Sequence, residues 1–120
     1  MAVARVHQRE IVEVPFTLPD GQILPHPALV ISCDELQDVE PGMFYAVLIS
    51  TKNHFPELTI PVKNEWLSSP LSQQSFFVTH IVNPVNVDDV FAHRNCFLRQ
   101  PFFDDVVNQI VANIIDGAWE

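Results

Sequence analysis

The stretch Ile23-Leu24-Pro25-His26-Pro27-Ala28-Leu29-Val30-Ile31-Ser32-Cys33 passes from a polar turn into a fully apolar run, with one histidine held between two prolines at the junction. Ala28 to Ile31 has no polar alternation, so it reads as a strand buried on both faces or as the inner staple of a small closed barrel. Pro25 and Pro27 fix their own φ and push Leu24 and His26 toward extended backbone, which sets the histidine on a stiff ledge at the strand mouth. Thr17-Leu18-Pro19-Asp20-Gly21-Gln22 carries an Asp-Gly turn signal, and together with the Pro-His-Pro ledge it predicts a loop of about ten residues. Positioned loop residues are where binding and catalysis concentrate.

Working outward, Ile11-Val12-Glu13-Val14-Pro15-Phe16 is rich in β-branched residues and predicts a first strand, preceded by a loose lead-in over residues 1–10. Asp34 to Asp38 reads as one helical turn closed by Pro41-Gly42. Met43 to Ser50 is the longest continuous strand candidate, and Leu58 to Val62 a short edge strand because of Pro61. Lys63 to Leu67 suggests a single turn around Trp66. Ser75 to Val82 predicts another strand, and Val85 to Phe91 a last, irregular one. From Pro101, apolar pairs recur at Phe102/Phe103, Val106/Val107, Ile110/Val111 and Ile114/Ile115, the pattern of a helix with one apolar face, and Gly117 is a natural stop. The expectation is one domain, mainly β with a C-terminal helix: a small SH3-like β-barrel over residues 11–92 and a helix over 101–117 that packs on it.

The chain has 120 residues, 48% of them hydrophobic, enough for one real core. Six Lys and Arg against fifteen Asp and Glu give a net charge of −9, which opposes tight nonspecific binding to a polyanion. A local anion site would need Lys52, Lys63, Arg94 and Arg99 to converge in the fold. Cys33 and Cys96 fit no zinc spacing and read as small buried or half-buried thiols in a reduced, cytoplasmic protein. No run approaches the ~20 apolar residues of a membrane span. His7, His26, His54, His80 and His93 show no paired ligand spacing, so no metal is expected.

The order of these features, with Ile11-Val12-Glu13-Val14, a long polar loop, Pro27-Ala28-Leu29-Val30-Ile31-Ser32 and a buried strand ending in Ser50-Thr51, resembles the MazF/PemK family of toxins from toxin–antitoxin modules. The resemblance runs from Ile11 to Ile115 and rests on pattern and one short motif. It implies a growth inhibitor that cuts single-stranded RNA without metal or cofactor, forms a homodimer and is held in check by an antitoxin protein. In that family the second strand opens with Arg-Pro-Ala, and the arginine serves in proton transfer and phosphate binding. The matching position here is His26. A threonine or serine at the end of the third strand contacts the scissile phosphate, and its counterpart is Ser50 or Thr51.

Cleavage by attack of a 2′-hydroxyl needs a base, an acid for the leaving 5′-oxygen, and donors for the phosphorane charge. Histidine exchanges protons near neutral pH, which arginine does not. The resemblance therefore implies His26, Ser50 and Thr51 as catalytic residues, Lys52 and His54 as substrate-binding ones, and His54 or His80 as a second proton carrier. The plainer readings are a turn histidine between prolines for His26, hydroxyls that satisfy nearby backbone for Ser50 and Thr51, a solvated turn for Lys52, and a satisfied core or interface histidine for His80. The second functional expectation is a catalytically inactive barrel of the same fold that binds a protein partner.

Overall fold

The hairpin of β1 (Glu10–Thr17) and β2 (Ile23–Val30) is paired without a break from Ile11↔Leu29 to Thr17↔Ile23. The computed structural model describes residues 5–17, 20–53 and 55–117. Because the pairing reaches Ile23, the long loop expected at this hairpin is shorter, and Pro25, His26 and Pro27 lie inside β2. The direction of the backbone N–H groups explains it. Ile31 donates its N–H to the Tyr45 carbonyl at 2.9 Å, so the odd positions of this segment point their N–H groups toward β3 (Met43–Ser50). Pairing with β3 covers only Ala28↔Leu48, Leu29↔Val47 and Val30↔Ala46. The prolines therefore remove no bond to β1; they fall where the ladder to β3 has stopped.

The remaining strands are β4 (Thr59–Pro61), β5 (Phe76–Val78), β6 (Asn83–Asn86) and β7 (Ala92–Phe97). All pair antiparallel in the order β4-β5-β3-β2-β1-β7, with β6 on the first half of β3. The strand expected over residues 75–82 stops at Val78, because Thr79 and His80 form a turn. The irregular strand expected over 85–91 is β6 followed by a 3₁₀ turn over Val87–Asp89. β7 lies beyond the residues expected to form the barrel.

The protein is thus mainly β with a C-terminal helix, but the ladder path does not close. β4 and β7 stand at its two ends, and among the described residues a single bridge spans the gap, Leu67↔Leu98, flanked by Arg99 N–H to the Trp66 carbonyl at 2.8 Å and Ser68 N–H to the Phe97 carbonyl at 2.9 Å. One face of the sheet packs Ile11, Leu29, Val47, Ile49, Phe77 and Leu98 against Phe103, Val106 and Ile110 of α2 (Gln100–Val111). The other face buries Val6, Val12, Val14, Ala28, Val30, Phe44 and Ala46 beneath Val87. A two-sided sheet explains the apolar runs without alternation in β2 and β3.

α2 carries Pro at its first turn and continues as a π-helical segment, Ala112–Asp116, that ends on Gly117 at φ 62°. The wider turn puts Asn113, not the expected Ile114/Ile115 pair, on the buried side. The Asn113 amide donates to Thr79 Oγ1 at 2.7 Å, and that hydroxyl donates to the Leu58 carbonyl at 2.7 Å. Ile114 and Ile115 are left exposed.

Residues 5–10, part of the lead-in expected to be loose, are pinned. Val6 is fully buried, its N–H donating to Gln37 Oε1 at 3.2 Å while Gln37 Nε2 donates to its carbonyl at 2.7 Å. Gln37 sits in the single-turn helix α1 (Leu36–Val39). Removing its amide strands two buried backbone groups, each worth about 1–3 kcal/mol when unsatisfied. Gln37→Ala is therefore expected to lower stability by about 2–3 kcal/mol, read as a lower urea midpoint at unchanged slope.

Among the described residues, no helix is long and apolar enough to cross a membrane. Both cysteines are free; Cys96 is buried, as expected, whereas Cys33 is exposed.

Candidate functional site

His26 faces Val14 across the hairpin, on the sheet face that also carries Ala28 and Val30. It is half-buried, and the Phe16 ring lies against the imidazole with centroids 5.0 Å apart and planes tilted by 32°. Burial pushes the imidazole below the usual histidine range, and the nearby Ile49 backbone opposes this only in part. The shift favours the neutral ring, the form a general base needs.

Ser50 ends β3. The register 28↔48, carried two residues past the last paired position, sets Ser50 level with His26. On its other side Ser50 pairs with Phe76. Its hydroxyl accepts the Lys52 N–H at 3.1 Å, which is the backbone role its type and position suggest, and its own hydrogen is left to donate. Thr51 and Lys52 follow immediately and are exposed. His54 lies outside the described residues.

The four cations that would have to converge do not gather round His26. Lys63 stands over the Trp66 ring at 5.6 Å, and that ring stacks on Phe102 of α2. Arg99 donates its Nε–H to the Glu65 carbonyl at 3.1 Å, and Arg94 pairs with Glu13 at 3.5 Å. Lys52 is the member of the set that chain order leaves next to Ser50. His80, considered as a second proton carrier, stands on the turn after β5 with its edge to Phe55 at 5.5 Å. Its Nδ1 is buried without a hydrogen-bond partner among the described residues.

Beside Phe16 opens a cleft of about 380 Å³ with Leu48, Ile81 and Val85 as apolar walls and Asn83 and Asp89 among its polar groups. Its one charged lining residue is an acid, Asp89, and no cation lines it. Phe16 is the part of the site that the sequence did not reveal. The Asp20-Gly21 turn, read as a tight hairpin, would have placed it near the histidine.

A sheet of this order, with a hairpin that carries His26 and a closing helix on one face, was compared with solved structures. The MazE–MazF complex from Deinococcus radiodurans (Form-III) matches with a TM-score of 0.71 at 14% identity, over 91% of this chain and 95% of that one. The fold is that of the MazF toxins. An endoribonuclease in complex with its cognate antitoxin from a Mycobacterial species matches with a TM-score of 0.68 at 12% identity, over 96% and 99% of the two chains. Mycobacterium tuberculosis toxin MazF-mt6 matches at 0.65 and 16% identity, over 90% and 97%. No family model and no curated protein matches the sequence.

Proposed function

We propose that this single-domain protein is the toxin of a toxin–antitoxin pair: a cytoplasmic, homodimeric endoribonuclease that cuts single-stranded RNA without a metal or cofactor. The observation that carries the reading is a half-buried His26 that lies in register level with Ser50, just beyond the last β2–β3 pair. The fold, shared with a MazE–MazF complex and with an endoribonuclease in complex with its cognate antitoxin, supports it.

In this scheme the free nitrogen of His26 takes the proton of the 2′-hydroxyl as that oxygen attacks phosphorus. The P–O5′ bond breaks, giving a 2′,3′-cyclic phosphate and a 5′-hydroxyl. Ser50 and Thr51 hydroxyls and the Lys52 ammonium donate to the non-bridging oxygens, where negative charge builds in the transition state. His54, two residues beyond Lys52 in the chain, supplies the proton for the leaving 5′-oxygen. The family's arginine joins phosphate binding and proton transfer in one side chain; here the two tasks separate between Lys52 and His26.

A second reading has an observation of its own. Lys63, Arg94 and Arg99 are held away from His26, and the chain carries a net charge of −9, both of which favour a non-catalytic barrel that binds a protein.

The deciding experiment is incubation of long single-stranded RNA with purified wild type, His26→Ala and Ser50→Ala in the presence of a chelator. The ribonuclease reading expects fragments with 5′-hydroxyl ends from the wild type and their loss in both variants. Intact RNA beside well-folded wild type moves the conclusion to the binding module.

A further inference from the structure

We propose that the cleft beside Phe16 is the subsite for a guanine base next to the cut, with Asp89 as the residue that selects it. The inference rests on the reading of the protein as a ribonuclease, and it names the base that the site reads.

The cleft and the site share one sheet face and one aromatic ring. Leu48 and Val85 pack against the core that includes Val14, Ala28 and Val30, on the face where His26 stands. Ser50 follows Leu48 by two residues, so both lie on that face about 7 Å apart along β3. Phe16 meets the imidazole and also lines the cleft. A nucleotide whose phosphate lies at Ser50 therefore has its base within reach of the cleft. The volume of about 380 Å³ lies in the range of small-molecule sites. Walls of Phe16, Leu48, Ile81 and Val85 suit the faces of an unstacked base, the usual target of sequence-specific RNA recognition. No cation lines the cleft, so it takes the uncharged base and leaves the phosphate to Ser50, Thr51 and Lys52.

The polar groups choose among the four bases. A carboxylate only accepts hydrogen bonds, through two oxygens. The Watson–Crick edge of guanine carries two adjacent donors, N1–H and the N2 amino group, and meets those oxygens with two parallel bonds. Adenine and cytosine each set a ring-nitrogen lone pair beside their amino donor, and uracil flanks its one N–H with two carbonyls. Asp89 is exposed, and among the described residues no cation pairs with it. Asn86 precedes the same 3₁₀ turn, and its Oδ1 accepts the Asp88 N–H at 2.9 Å. Its amide NH₂ is left to donate to guanine O6, the acceptor next to N1.

The test is titration of the full chain, wild type and Asp89→Asn, with the 5′-monophosphates of guanosine, adenosine, cytidine and uridine, followed by ¹H–¹⁵N NMR. The phosphate is common to all four, so differences in affinity report the base. Guanosine monophosphate is expected to bind the wild type most tightly and to shift the side-chain amides of Asn83 and Asn86. Asp89→Asn, a change of similar shape on an exposed turn, is expected to weaken it by about ten- to a hundredfold, the worth of a bidentate base contact. In RNA cleavage, the ratio of cuts beside guanine to cuts beside other bases falls by the same factor. Equal affinity for all four, amides that do not shift, or a guanine preference that survives in Asp89→Asn overturns the inference. Guanine-selective binding by a wild type that leaves RNA intact overturns the ribonuclease reading alone.

Discussion

His26→Ala is expected to lower the rate of RNA cleavage by about 10²–10⁴-fold, the range that a positioned general base contributes, with the fold retained. Retention follows from the site's position. His26 lies at the rim of the sheet, beyond the last β2–β3 rung, and its removal uncovers Phe16 without opening the core. His26→Gln keeps a polar side chain at this position but cannot take a proton at neutral pH; it is expected to lose as much activity as the alanine variant. The pH dependence has a definite sign. The base must be unprotonated, and burial lowers its pKa, so the acid limb of kcat/KM is expected below the usual histidine value of about 6.5. The same shift acts on stability. The unfolded chain takes up the proton near the usual value and the folded chain only at lower pH, so this contribution is fully present above the usual value and is lost as pH falls through the folded one. An NMR titration of the His26 ring beside urea unfolding at several pH values checks both, and an acid limb above the usual value would remove His26 from the role of base.

How much of this was legible in the sequence depended on whether a feature is fixed by neighbours along the chain or by neighbours across it. The strands Ile11 to Phe16 and Met43 to Ser50 and the C-terminal helix declare themselves by composition and period, and the structure places β1, β3 and α2 there. β7 was illegible because its register slips: Ile11 pairs with Cys96 but Val12 with His93, Asn95 sits at φ 53°, and the alternation of Ala92-His93-Arg94-Asn95-Cys96-Phe97 is broken at that bulge. Its polar residues are tied down from across the sheet, His93 to the buried Glu10 carboxylate at 2.6 Å and Arg94 to Glu13. The Pro-His-Pro segment misled for a related reason. Proline forbids one backbone bond, and whether that bond would have been used depends on which neighbour lies on the N–H side. At the site, the family resemblance singled out His26 and Ser50, and the register places them level, but the distribution of cations had no signal in the sequence. Arg94 and Arg99 find Glu13 and the Glu65 carbonyl, partners distant in sequence, and Lys63 stands over Trp66, three residues on.

The second large effect belongs to Phe77, the middle residue of a strand only three residues long. Phe77 is fully buried, and on opposite edges its backbone pairs with Ile49 of β3 and Ile60 of β4. Among the described residues β4 has no strand partner but β5, so the packing of this one ring holds the end of the sheet onto the core shared with α2. Phe77→Ala removes a ring from a close-packed interior and leaves a cavity, at a cost of about 3–5 kcal/mol. Against the roughly 5–15 kcal/mol total of an ordinary domain, that is a large share. The thermal midpoint is expected to fall by roughly 10–20 °C. The damage should also reach the site, because β5 pairs with Ile49 and Ser50 at the end of β3. Slack there loosens Ser50 before the domain unfolds. Cleavage by Phe77→Ala is therefore expected to decline at temperatures where circular dichroism still reports a folded protein, while Gln37→Ala, which weakens the far end of the sheet, loses activity only as it unfolds. If the activity and unfolding curves of Phe77→Ala coincide, β3 does not transmit the loss, and His26 is held by Phe16 and the hairpin alone.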